Sequence, residues 1–147
     1  MEITIRKAQE TDYESILELF KEFSEFEKLP DKMTNSIERL MEEKDFFNCS
    51  IAVTADKKIV GYAAYFYCYY TWIGKSLYMD DLYVKPDYRA KGIGTKLINT
   101  VIDIAKASKC HKLRWQVSGW NKPAIDFYKK IGAEIDDVEQ NCDLVFN

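Results

Sequence analysis

The sequence predicts an α+β fold: a mixed, mostly antiparallel sheet with helices on both faces. Three observations carry this reading. Short runs rich in β-branched and aromatic residues are separated by turn-type residues; two long stretches repeat apolar residues at spacings of three and four; and a strand, a glycine loop, a helix and a second strand follow one another between 77 and 117 as one βαβ unit. With 147 residues, 47% hydrophobic and 31% charged, and with no internal repeat or linker-like stretch, the chain is expected to form one domain over 1–147.

Taken in order, Ile3 and Ile5 open a short strand. Thr11-Asp12-Tyr13-Glu14 has the form of a capping box, and the helix after it presents Ile16, Leu19, Phe20, Phe23 and Phe26 on one side. A short helix is expected around Ile37, Leu40 and Met41. Strands follow at 51–54, 59–69 and 77–84, the first two joined by the turn-like Ala55-Asp56-Lys57-Lys58. Ile93, Leu97, Ile98, Val101, Ile102 and Ala105 then form the stripe of a second long helix. Residues 113–117 read as a strand. Asn121-Lys122-Pro123 opens a further helix, because Asn caps well and Pro is tolerated in a first turn, and that helix stops at Gly132. Residues 133–135 and 143–146 are expected to close the sheet as two short strands.

A formal charge of -3 and a pI near 5.3 leave no general basic field for nucleic acid or an anionic membrane, and suit a cationic partner better. Cys49, Cys68, Cys110 and Cys142 form no C-x-x-C, and His111 is the only histidine, so neither a zinc site nor a His-dependent triad is expected, and no metal is required. The charged start MEITIRKAQE lacks the basic-then-apolar pattern of a secretion signal, which makes a cytoplasmic protein the expectation. The uncharged run 59–74 carries Tyr62, Tyr65, Tyr67, Tyr69 and Tyr70 and is too short and too phenolic for an ordinary membrane span.

The chemistry-bearing segment is Arg89-Ala90-Lys91-Gly92-Ile93-Gly94-Thr95-Lys96, placed where a strand hands over to a helix start. Unpaired amides and the positive end of the helix dipole face such a loop, glycines allow close backbone approach, and Arg89, Lys91 and Lys96 add charge suited to a diphosphate. Two familiar phosphate motifs do not fit. A Walker loop needs Gly-Lys followed by Ser or Thr, and a dinucleotide fingerprint needs Gly or Ala where this chain has Leu97.

What remains is Arg-x-x-Gly-x-Gly between a strand and an amphipathic helix. Together with Trp72-Ile73-Gly74-Lys75, Tyr78-Met79-Asp80-Asp81, Asp87-Tyr88-Arg89, and Trp120-Asn121-Lys122-Pro123 through Phe127-Tyr128-Lys129-Lys130 and Gly132-Ala133, it resembles the GNAT superfamily of acetyl-CoA-dependent N-acetyltransferases. Within that superfamily the likeness is to the diamine (spermidine/spermine) branch, and Thr71-Trp72 is closer to the thialysine acetyltransferases. Polyamine enzymes carry an acidic residue where this chain has Tyr70.

The resemblance implies the GNAT fold, with the parallel strands at 77–84 and 113–117 splayed into a cofactor slot. It implies acetyl-CoA as co-substrate, held by Leu82, Tyr83 and Val84 along the acyl arm, by Arg89, Ala90, Lys91, Gly92, Ile93, Gly94 and Thr95 at the pyrophosphate, and by Asn121, Lys122, Pro123, Ala124 and Tyr128 on the other side. Phe26, Glu27, Trp72, Asp80, Arg114, Trp115 and Gln116 would line the channel of a small cationic amine, a polyamine, diamine or lysine-like amino acid. Asp80, standing where the polyamine enzyme has Glu, would accept the ammonium proton directly or through water; removing it near pH 7 costs roughly 4 kcal/mol for an alkylamine of pKa about 10.4. Tyr128 would be the general acid. A phenol is a weaker acid than a thiol, so it would assist by hydrogen bonding to the departing sulfur rather than by complete transfer. The alternatives are a CoA-binding regulator without turnover and an acetyltransferase for proteins or peptides. A homodimer is expected from the same resemblance and from the uncovered segment 143–146.

Overall fold

The computed structural model describes residues 2–146, which form two compact units dividing between Gln116 and Val117. In the first unit, strands β1 (Ile3–Lys7), β2 (Asn48–Thr54), β3 (Ile59–Tyr70), β4 (Gly74–Val84) and β5 (Leu113–Trp115) stand in that order in one sheet. The first three ladders are antiparallel and β4 with β5 is parallel. The expected mixed sheet is therefore present.

Helix α1 (Tyr13–Phe26) buries Tyr13, Ile16 and Leu19 against Cys49, Ile51, Val53, Tyr62, Ala64 and Tyr83, with Phe20, Phe23 and Phe26 packed at the margin. Strand alternation sends the neighbours of these sheet residues to the opposite face. There α3 (Ile93–Ala107) buries Ile93, Leu97, Ile98, Val101 and Ala105. Gly61 is the point of closest approach: a Cβ on it would stand 2.9 Å from the Tyr83 carbonyl oxygen and 3.3 Å from Leu97, so a side chain here would force strand and helix apart. Both apolar stripes read from the sequence thus cover the two faces. The short α2 (Ile37–Glu42) begins at Ser36, whose hydroxyl accepts from the Arg39 amide at 3.2 Å.

The start of α1 differs from the expected capping box. A 3-10 turn at Glu10–Asp12 precedes it, and the buried Asp12 carboxylate accepts the Gln9 amide at 2.8 Å and both arms of Arg6 at 2.8 and 3.0 Å. A paired, buried carboxylate outcompetes the Thr11 hydroxyl, because charge-assisted bonds are about twice as strong as neutral ones. Strand β5 is shorter than expected, ending at Trp115.

In the second unit α4 (Lys122–Lys130) starts at Asn121, whose side-chain oxygen accepts from the Ala124 amide at 3.4 Å, and Pro123 lies in its first turn. It ends with Gly132 at φ +96°. The two closing strands are absent among the described residues: 133–135 and 143–146 pair with nothing in a ladder. A strand exists only on a partner edge, and residues 134–146 are exposed throughout and carry Glu134, Asp136, Asp137, Glu139 and Asp143. No helix among the described residues is long and apolar enough to cross a membrane.

Candidate active site

The β4–β5 ladder has only three rungs, Leu77 with Leu113, Tyr78 with Arg114 and Met79 with Trp115. Beyond Met79, β4 runs on to Val84 with no strand on that side among the described residues, so the parallel pair is open at its C-terminal end. The Val84 carbonyl faces this open edge, since it accepts Arg89 Nε at 2.8 Å; groups two residues apart face the same edge, which directs the Leu82 amide there too.

The edge leads to the glycine loop. Gly92, at φ +81°, is the N-cap of α3, and Ala90 has φ +62°, so two residues of the loop are left-handed and turn successive amides to one side. No side chain caps α3, and its first helical bond is Lys96 N–H to the Gly92 carbonyl at 3.1 Å, so the amides of Ile93, Gly94 and Thr95 precede the first internal acceptor. A Cβ at Gly92 would meet nothing within 4 Å: the loop is an open cradle. Of its three cations, Lys91 and Lys96 are exposed, whereas Arg89 is docked by its bond to Val84 with its guanidinium 4.7 Å from the Phe26 ring centre and 5.4 Å from that of Tyr83. Phe26 therefore meets Arg89 at the end of α1.

At the other end of the open edge stand Asp80 and Asp81. The β3–β4 register passes from Ala64–Asp81 to Tyr65–Met79, which makes Asp80 an extra residue, a β-bulge. Alternation from the sequence places Asp80 and Asp81 on opposite faces, but the bulge breaks the parity: Asp81 shares a face with Ala64, and Met79 shares the other with Tyr65. Tyr62, fully buried, donates to Asp81 Oδ2 at 2.7 Å. Burial, the Asp80 charge and that of Glu27 push the Asp81 carboxyl up to about 7 against the helping bond from Tyr62, and burial raises Asp80 as well. Glu27, Asp80 and Asp81 thus share one electrostatic neighbourhood. The sequence reading missed Asp81 and Tyr62 as site residues; Tyr62 lies in β3 at the ordinary alternation of a core residue, and no local signal marks it.

Trp72 is fully exposed in the β3–β4 turn, about 20 Å of strand away from Asp80 by the rise along β4. The structure does not bring it to the acidic pair within this unit. Arg114 is exposed beside Tyr78, while Trp115 and Gln116 end the strand. Tyr128 is buried in the second unit, with its ring 5.4 Å from Phe127. No group of three or more metal-ligating side chains occurs among the described residues.

A sheet opened at a parallel pair, with an acidic pair at one end of the opening and an uncapped glycine loop at the other, is the site of a protein that can hold a phosphate-bearing ligand along a strand edge beside proton-accepting carboxyls. Residues 13–133 match the Acetyltransferase (GNAT) family model. The chain is 40% identical to a thialysine N-epsilon-acetyltransferase of Bos taurus over 90% of its own length and 84% of that protein. It is 33% identical to spermidine/spermine N(1)-acetyltransferase-like protein 1 of Homo sapiens, over 88% of this chain and 20% of that one. An integron cassette protein from the mobile metagenome of V. cholerae superposes with a TM-score of 0.78 at 25% identity, over all of this chain and 94% of the other. The chain belongs to the GNAT family of acetyltransferases, as its glycine loop and flanking motifs led us to expect.

Proposed function

We propose that the protein moves the acetyl group of acetyl-CoA to a primary amine of a small cationic metabolite, a polyamine, diamine or lysine-like amino acid, working in the cytoplasm as one domain over 1–147 and as a homodimer. The observation that carries this reading is the open edge of β4, which runs from the acidic pair to the uncapped start of α3. When bound, acetyl-CoA supplies the activated thioester. The donors present fit it: the loop amides of Ile93, Gly94 and Thr95 with Lys91 suit a diphosphate, and the open-edge amide of Leu82, beside Tyr83 and Val84, can hydrogen-bond the acyl oxygen as charge develops on it. Asn121, Lys122, Pro123 and Ala124 serve the carrier's other side.

Asp80, directly or through a water, takes the ammonium proton. The neighbouring Asp81 supports this role: burial raises both carboxyls and the Asp80 charge raises Asp81 further, so the two resist ionising together and the pair is ready to take up a proton. Tyr128 donates a hydrogen bond to the departing sulfur. Glu27 and Phe26 complete the cation-receiving side, with Trp72, Arg114, Trp115 and Gln116 as further substrate contacts. The exposed apolar run Leu144, Val145 and Phe146 supports a second copy as partner.

Thiol release from acetyl-CoA across a panel of polyamines, diamines and lysine analogues tests the reading. We expect turnover with at least one amine class, and a loss of about 100-fold or more in kcat for Asp80→Asn and for Tyr128→Phe. Tight acetyl-CoA binding without thiol release would favour a regulator, and activity confined to peptides would favour a protein acetyltransferase; either result overturns the proposal.

A further inference from the structure

Helix α1 ends in like charges. Glu25 stands in its last turn and Glu27 caps it, no basic residue lies in that turn, and the carbonyl end of a helix is itself partly negative. Burial and the Asp80 charge raise the Asp81 carboxyl, and Glu27 adds to them, so the helix end stands close to the acidic pair and is repelled by it. Past the helix, residues 28–32 are exposed and Lys28 takes a left-handed backbone at φ +65°. The burial that places the helix end therefore comes from the sheet side.

Three groups from the end of β4 and the loop after it meet the helix there. The Tyr83 hydroxyl and Lys85 Nζ donate to the Glu22 carboxylate at 3.3 and 2.8 Å, and the Tyr83 ring stacks on Phe23 at 5.2 Å. One turn further along α1, the Arg89 guanidinium lies over Phe26, the residue before Glu27, 4.7 Å from the ring centre. Its Nε donates to the Val84 carbonyl at 2.8 Å, so the guanidinium is fixed at its root while it lies over the rings of Phe26 and Tyr83. Of the three loop cations it is the one turned toward α1: Lys91 lies 5.8 Å from the Tyr88 ring centre and Lys96 is exposed. The strand segment whose edge is open to the acyl arm thus holds α1 by its side chains.

We propose that Arg89 is a positioning residue for the amine: anchored on Val84 and laid over Phe26, it holds down the end of α1 and keeps Glu27 beside Asp81, where the substrate ammonium arrives. This deepens the small-amine acetyltransferase reading and rests on it. The role needs a cation, to offset the negative helix end, and an N–H at the root of that cation to bond the strand, which lysine lacks. One loop then divides its work. The amides of Ile93, Gly94 and Thr95 face the carrier, whereas Arg89 serves the acceptor. A change at Arg89 is therefore felt by the amine rather than by the carrier.

The test joins steady-state kinetics on the amine panel, calorimetry with CoA, and hydrogen exchange. Arg89→Gln should raise KM for the accepted amine about fivefold with a smaller change in kcat, while the affinity for CoA stays within about twofold. Arg89→Lys, which keeps a cation and loses the anchor, should fall between the two proteins. Phe26→Leu should reproduce the rise in KM, and Phe26→Tyr, which retains the ring, should not. Arg89→Gln combined with Phe26→Leu should lose no more than either alone, because two residues acting through one contact do not add. A readout apart from turnover is amide exchange: Glu27 and Leu29, whose N–H groups bond the Phe23 and Ser24 carbonyls at 2.9 Å, should exchange severalfold faster in Arg89→Gln. An amine KM within about twofold of the unmodified protein's, a CoA affinity that falls as far as the amine's, or losses that multiply in the double variant would overturn the positioning role while leaving the acetyltransferase intact. No turnover with any amine of the panel would instead remove the acetyltransferase reading, and this role with it.

Discussion

Replacing Asp81 by Asn should make the protein more stable at alkaline pH. In the folded chain the carboxyl is raised from 3.8 to about 7, first by burial and then by Asp80. A group whose folded value lies above its unfolded one binds more protons in the native state, so raising the pH from about 4 to about 7 favours unfolding. The cost is absent below the unfolded value and complete above the folded one. Three pK units at about 1.36 kcal/mol each give a penalty of about 4 kcal/mol at pH 8.5. Asn keeps an oxygen for the Tyr62 hydroxyl, which lies 2.7 Å from Asp81, while discarding the buried charge. Urea unfolding of both proteins at pH 4 and pH 8.5 measures the effect. We expect near-equal stabilities in acid and a gain of about 2 to 4 kcal/mol for Asp81→Asn in base, of the size reported by a like-charged, buried carboxyl. A difference that does not change with pH, or a variant less stable at pH 8.5, would refute the claim that Asp80 and Asp81 form a strained acidic pair. The retained penalty has a functional reading: a carboxyl costly to ionise is one ready to hold a proton.

Two further outcomes follow from the site. Gly92→Ala puts a side chain on a left-handed residue with open space around it, so stability should fall by only about 1 to 2 kcal/mol while KM for acetyl-CoA rises severalfold; an unchanged KM would show that the loop is not the diphosphate cradle. Light scattering at working concentration should report a dimer, and a monomer would remove the role proposed for the exposed Leu144, Val145 and Phe146.

The amino-acid sequence by itself determined the helices and the loop, because their signals are local. Ile93 through Ala105 repeat within one helix, Asn121 caps the helix it precedes, and Gly92 and Gly94 mark the turn between β4 and α3 without reference to any distant residue. Only the tertiary structure decided what depends on residues far apart in the chain. The register of β3 against β4 makes Asp80 a bulge and sets Asp81 on Tyr62, the end of the β4–β5 ladder opens the edge, and Arg89 is drawn from the loop onto Phe26 and Val84. The same reason explains the missing strands after α4: a stretch with strand-like letters becomes a strand only where another edge meets it. Periodicity is written along the chain, whereas burial, register and the company a charge keeps are properties of the packed sheet.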